Sequence, residues 1–199
     1  MEGNQPIKTS QTIKTFKFNE IIEDSWALLK RGVQDRKTMA HTPVVSSIGL
    51  DGLPRSRTMV LRDVDKLART LNFNTDNRSP KVGEFALNPR ASVLIYEASE
   101  KIQLRLSCKI VIHKNDQVSD LVWSKMRNMS QQCYKIKQAP GTKLNFPDFI
   151  ELEESGRKNF CVLKAEIETL EWLYLSAAGN RRAIFDWRQE NEVATWLVA

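Results

Sequence analysis

Between Lys101 and Ile112 the chain reads KIQLRLSCKIVI, with Ile102, Leu104, Leu106, Cys108, Ile110 and Ile112 all on one parity. Successive side chains of a β-strand point to opposite faces, so this spacing puts every one of those apolar groups on a single side. The pattern predicts a long strand over 101–112 with one face in a core. It makes a sheet the centre of the fold, which the other segments must extend or cover.

The neighbouring segments supply both parts. From Phe18 to Val33, Ile22, Trp26, Leu29 and Val33 recur at spacings of four, three and four, one face of an amphipathic helix with Gly32 near its end. His41 to Leu50 is rich in β-branched residues and runs into Asp51-Gly52, a hairpin signal. Arg55 to Val64 is expected to return as a second strand and Arg69 to Thr75 as a third. Ser79-Pro80 reads as an N-cap followed by proline at the first helical position, and Asn88-Pro89 ends that short helix. Strands are predicted at Ala91–Glu97, Phe160–Leu175, Ala183–Trp187 and Ala194–Val198. Asp116 to Arg127 reads as a helix with Val118, Leu121 and Val122 inward. Lys137 to Asn159, with Pro140-Gly141, Pro147, Gly156 and the acidic Glu151, Glu153 and Glu154, reads as a long loop. Many antiparallel strands with a few helices suggest a closed or partly closed barrel, mainly β with flanking helices.

The chain has 199 residues, 41% hydrophobic and 27% charged, the make-up of one globular domain. Residues 1–17 carry Lys8, Lys14 and Lys17 without an apolar core, and are expected to form a flexible basic arm ahead of a single domain over 18–199. No apolar run reaches the roughly 18 residues of a membrane span. The three cysteines, Cys108, Cys133 and Cys161, are odd in number and show no CxxC spacing, which argues against a disulfide framework and for a cytoplasmic protein. The two histidines, His41 and His113, stand far apart, so neither a histidine metal site nor a Ser-His-Asp triad is expected. A net charge of +6 draws anions. Nucleic acid would call for a basic stripe with interleaved aromatics, whereas the basic residues here are spread along the chain.

The densest functional cluster runs from Arg57 to Lys81. Arg57 and Arg62 flank Met59, Val60 and Leu61; Asn74-Thr75 then leads into Asp76-Asn77-Arg78-Ser79-Pro80-Lys81. This arrangement gathers guanidinium, ammonium and hydroxyl groups around a helix start, where free backbone N–H groups and a partial positive charge suit a phosphate. Arg57 and Arg78 can fork onto phosphate oxygens and Lys81 can add a point charge. The same residues equally describe a solvated basic loop before an ordinary helix.

Taken in order, RTMVLRDVD, NFNTDNRSPK, NPRASVLIYEA, KIQLRLSCKIVIH, LEWLYLSAAGNRRA and the terminal TWLVA resemble the pyridoxamine 5'-phosphate oxidase-related family of FMN-binding split barrels. The resemblance implies a six-stranded antiparallel split β-barrel that dimerises, with FMN between two subunits. It further implies that Arg57, Thr58, Met59, Val60, Leu61 and Arg62 run along the flavin, that Asn74 and Thr75 form the next contact, and that Arg78, Ser79 and Lys81 lie at the phosphate. Gln103 matches a glutamine on the flavin's pyrimidine edge, which a side chain with both donor and acceptor suits. For the substrate it points to Trp123, Arg127 and Ser130, and to Arg181 and Arg182. Here the family's Arg-x-His pattern reads Arg181-Arg182-Ala183, without the histidine.

The activity so implied is FMN-dependent oxidation of a phosphorylated B6 vitamer with oxygen as acceptor. The missing histidine leaves open a flavin reductase, an oxidoreductase on another small substrate, or a non-catalytic flavin-binding module.

Overall fold

The computed structural model describes residues 15–189 and 192–199. Residues 1–14 of the expected arm lie outside the described residues; of its last three, Phe16 packs its ring against Trp172 and Tyr174.

The alternating segment is strand β6 (Ile102–His113), where Leu104, Leu106, Cys108 and Ile110 are buried and Arg105, Ser107 and Lys109 face out. It lies between β5 (Arg90–Glu97) and the 15-residue β7 (Phe160–Tyr174), antiparallel to both. Beyond β5 come β1 (Val44–Ile48) and β2 (Pro54–Thr58). The far edge of β7 is shared: its first half pairs with β4 (Thr70–Asp76), its second with β8 (Arg181–Asp186). An irregularity opposite Ser107 and Cys108 of β6 marks the hand-over, as expected of a bulge that bends a strand. β3 (Leu61–Asp65) pairs with β4, and β9 (Val193–Leu197) with β8.

In the path β2-β1-β5-β6-β7-β4-β3, the two end strands are consecutive in sequence, joined only by Met59 and Val60. So short a link brings the two sheet edges together and curls the sheet into a barrel. This corrects the expectation of one strand over Arg55–Val64. The segment breaks at Met59-Val60 because its halves pair with different partners, β1 and β4. The break, together with the added β8–β9 hairpin, is why the described residues hold nine strands rather than six.

Helix α1 (Phe18–Gln34) lays Ile21, Trp26, Leu28 and Leu29 on the core, while Ile22 and Val33 are only partly buried. The inward face is thus turned slightly from the one the spacing suggests. Gly32 allows the turn at Met39–His41 to press close: a Cβ there would lie 2.5 Å from the Ala40 carbonyl oxygen. Core side chains include Trp172, Phe73, Phe85 and Phe185.

Helices α2 (Pro80–Leu87), α3 (Gln117–Lys125) and α4 (Asn128–Gln131) flank the barrel. On α3, Leu121 is exposed rather than inward; Ser119 is the buried position, and Val122 and Trp123 pack on a small cluster of Tyr134, Phe160 and Val162. The long loop is present, its two arms joined by a bridge between Ile136 and Leu152. No helix among the described residues is long and apolar enough to cross a membrane.

Candidate functional site

A groove of about 530 Å³ opens where the β2–β3 corner, the end of β4 and the start of α2 converge. Its walls are Arg57, Thr58, Met59 and Val60 from the corner, Arg62 from β3, Asn74 and Thr75 from β4, and Ser79, Pro80, Lys81 and Glu84 from α2. Nine of the twelve residues expected to meet the cofactor thus share one concavity.

The floor of the groove is cationic. Lys81 Nζ donates to Ser79 Oγ at 2.6 Å and to Thr75 Oγ1 at 3.4 Å. Burial, and then the nearby Arg57 charge, push the Lys81 pKa below its ordinary value. Ser79 occupies the N-cap of α2 with Pro80 next, as the sequence suggests, but its hydroxyl does not cap the helix and serves Lys81 instead. No ion pair engages Lys81 among the described residues. A desolvated ammonium beside two hydroxyls and a helix N-terminus is built to receive an anion.

Arg57 is held differently. Its Nη2 donates to Glu84 Oε2 at 2.8 Å and its Nη1 to Ser47 Oγ at 2.7 Å. Glu84 is the residue that sequence reading passes over. A polar residue on a short helix looks solvent-facing; the available signal was its place beside Phe85 on the buried face, where an acid needs a cationic partner.

Three expected cofactor residues do not line the groove. Leu61 turns into the core at 1% exposure. Arg78 points away because Asp76 takes it, with Nη2–Oδ2 at 2.7 Å and Nε–Oδ1 at 3.0 Å, while its remaining donors reach the carbonyls of Ile136 and Lys137 at 2.8 Å. It fastens the long loop. Gln103 sits on β6 between Tyr96 and Leu173, away from these walls.

The five expected substrate residues fall in two other places, and none lines the groove of its own chain. Trp123 packs against Phe160 and Tyr134 with centroids 5.2 and 5.7 Å apart, and the exposed Arg127 caps α4, on which Ser130 is half-buried. On β8, Arg181 donates to the Asn180 carbonyl at 2.8 Å, and Arg182 Nη2 to Glu171 Oε2 at 2.8 Å. Glu171 also receives Arg105, so a single carboxylate holds both guanidiniums and Arg182 is tied down on its own sheet. Ala183, where the Arg-x-His pattern would place its histidine, is fully buried opposite Trp172.

The remaining candidates behave as packing groups. Cys161 pairs with Thr75 across the strands behind the groove, and burial pushes its thiol up to about 12. Burial likewise raises the Cys108 thiol, and all three cysteines are free. His113 meets Asp116 at 2.8 Å and is less exposed than a surface residue. No metal-holding cluster of His, Cys, Asp or Glu occurs among the described residues.

Residues 23–114 match the family model described as pyridoxamine 5'-phosphate oxidase, FMN-binding domain. Every groove residue falls within that span. The segment that builds the groove is thus the part of the chain that matches this family's FMN-binding domain. Among curated relatives, the Arabidopsis thaliana pyridoxine/pyridoxamine 5'-phosphate oxidase 2 is 26% identical over 172 residues, covering 79% of this chain and 85% of that protein. The pyridoxine/pyridoxamine 5'-phosphate oxidase of Caulobacter vibrioides is 33% identical over 88 residues, 42% of this chain and 39% of its own length. Among solved structures, a pyridoxamine 5'-phosphate oxidase-related, FMN-binding protein from Nostoc punctiforme superposes with a TM-score of 0.71 at 19% identity, covering 94% of this chain and all of that one (100%). PhzG from Burkholderia lata, solved with tetrahydrophenazine-1-carboxylic acid, gives 0.70 at 17% identity over 91% and 92% of the two chains. These likenesses confirm the split-barrel class.

The cofactor of this family is FMN, and the groove fits it on its own chemistry. Lys81, Ser79 and Thr75 supply donors and charge for a phosphate. Asn74 Oδ1, on the same wall, is buried without a hydrogen-bond partner, and a ribityl hydroxyl or a ring N–H is the kind of donor it lacks.

Proposed function

We propose that the chain is an FMN-dependent oxidoreductase, working as a homodimer, that oxidises a phosphorylated B6 vitamer with oxygen as acceptor. The observation carrying this reading is the desolvated Lys81 ammonium, which stands with Ser79 and Thr75 at a helix start inside the groove. Bound FMN supplies two-electron chemistry; the protein supplies position and charge. Lys81, Ser79 and Thr75 hold the phosphate, Thr58 to Val60 line the flavin's flank, and Asn74 offers its free oxygen.

The dimer is supported by where the substrate candidates lie. Arg127, Ser130 and Arg181 sit off the groove of their own chain, so a second subunit is needed to carry any of them to a bound flavin. An exposed apolar pair on the outward face of β5, Leu94 and Tyr96 at 36% and 44% exposure, offers a surface for it. The B6 substrate is supported by the Arabidopsis relative, with which likeness extends over most of both chains.

A second reading keeps FMN and the fold but changes the substrate. It is favoured by the buried Ala183, which stands in place of a histidine, and by the contact with Glu171 that already engages Arg182. One assay separates the two. FMN-loaded protein is given pyridoxamine or pyridoxine 5'-phosphate, and hydrogen peroxide and pyridoxal 5'-phosphate are measured together. Equal amounts of both products support the first reading; neither product from a protein that retains FMN moves the assignment to the second.

A further inference from the structure

We propose that Glu84 is a positioning residue of the FMN phosphate site, its Oε2 holding the Arg57 guanidinium against the groove wall in readiness for the phosphate. The inference rests on the reading of the groove as an FMN site and adds a residue to it.

Glu84 is 6% exposed, three residues beyond Lys81 on α2. A carboxylate so placed is costly unless paired. One of its oxygens does the pairing. Oε2 accepts from Ser47 Oγ at 2.5 Å and from Arg57 Nη2 at 2.8 Å. Ser47 Oγ in turn accepts from Arg57 Nη1 at 2.7 Å, closing a ring of three side chains from β1, β2 and α2. Ser47 is itself buried at 3% exposure. The ring grips the guanidinium through both terminal nitrogens and leaves Nε out, while the side chain keeps 22% exposure on the groove that Arg57 lines. Arginine is a long, flexible side chain, and fixing it beforehand removes an ordering cost at the moment of binding. Glu84 also lies where it tempers the repulsion between Arg57 and Lys81, since the two act on Lys81 in opposite directions.

A carboxylate beside a phosphate site could instead compete with the ligand for Arg57. Positioning and competition predict different substitution patterns, because only one oxygen is in use. Glu84→Gln keeps an oxygen within reach of both donors, whereas Glu84→Ala removes the grip.

The test is equilibrium titration of FMN and of riboflavin, followed by flavin fluorescence, against the full chain and its Glu84→Ala, Glu84→Gln and Ser47→Ala variants. Riboflavin lacks the phosphate, so the ratio of the two affinities reads the phosphate site alone. Positioning predicts that Glu84→Ala and Ser47→Ala each lower that ratio by roughly tenfold, and that Glu84→Gln stays within about threefold of wild type. Should Glu84→Ala fail to fold, the Ser47→Ala and Glu84→Gln pair carries the same contrast. A ratio unchanged or raised in the Glu84→Ala and Ser47→Ala variants overturns the proposal, and equal weakening of both flavins would reduce Glu84 to a merely structural part. A wild-type chain that prefers FMN while its two alanine variants do so equally defeats this inference alone; a wild type that binds neither flavin, or both alike, defeats the reading beneath it.

Discussion

At the scale of single residues, the groove separates three basic groups that look interchangeable in sequence. Lys81 is desolvated and bonded only to hydroxyls, Arg57 is gripped by Glu84 and Ser47, and Arg78 is spent on Asp76 and the long loop. Lys81→Ala is therefore expected to weaken FMN binding by about 1.5–3 kcal/mol, the usual worth of a hydrogen bond to a charged group, with riboflavin much less affected. The pH dependence has a definite sign. The protonated ammonium binds phosphate, and its pKa in the free protein lies below the ordinary lysine value. FMN affinity should thus begin to fall at a lower pH than an ordinary lysine, at about 10.4, would impose. Folding of the free protein responds oppositely: the unfolded chain holds this proton more tightly, so this group's contribution to stability rises with pH through the same window. Titrations of FMN between pH 7 and 9.5 on wild type and Lys81→Ala check the first sign; a parallel fall in both would remove Lys81 as its source. Which basic residue faces the groove was not legible in the sequence, because Asp76 captures Arg78 through geometry that spacing alone does not encode. Glu84 was missed for a related reason: what covers it is Ser47 of β1 and Arg57 of β2, and the helix itself offers only its place beside Phe85 as a hint.

At the scale of elements, period-two alternation made β6 readable because one face is buried and the other solvated along most of its length. The break at Met59-Val60 was not readable. No glycine, proline or asparagine marks it, and the chain stays extended on both sides; what divides it is the choice of partner, β1 before the corner and β4 after. That corner is also what brings Arg57 and Arg62 to the same groove. Two substitutions probe how the elements are held. Gly32→Ala would force a methyl against the Ala40 carbonyl, at a cost of about 1–3 kcal/mol and a correspondingly lower Tm. An unchanged melting curve would mean that the α1 contact yields freely. Arg78→Ala should release the 136–152 loop and speed limited proteolysis there, while raising the FMN Kd far less than Lys81→Ala. Equal losses of FMN affinity would return Arg78 to the phosphate.

For the whole molecule, the sheet order leaves the barrel closed by a covalent corner on one side, and an apolar patch of Leu94 and Tyr96 exposed on β5. The proposed dimer covers that patch and completes each groove. Sedimentation velocity should give a species near twice the 22.9 kDa chain mass, and Leu94→Arg should shift it to the monomer with weaker flavin retention. A wild-type monomer that keeps its full complement of FMN would contradict the shared-site arrangement. The central claim is simpler than the dimer or the substrate: this groove holds FMN by its phosphate through Lys81. The most direct test is the absorption spectrum of the purified chain after FMN loading and desalting, taken beside Lys81→Ala. Flavin bands that survive desalting in the wild type and are largely lost in the variant are the predicted result. A colourless wild type, or a variant that keeps as much FMN, would contradict it.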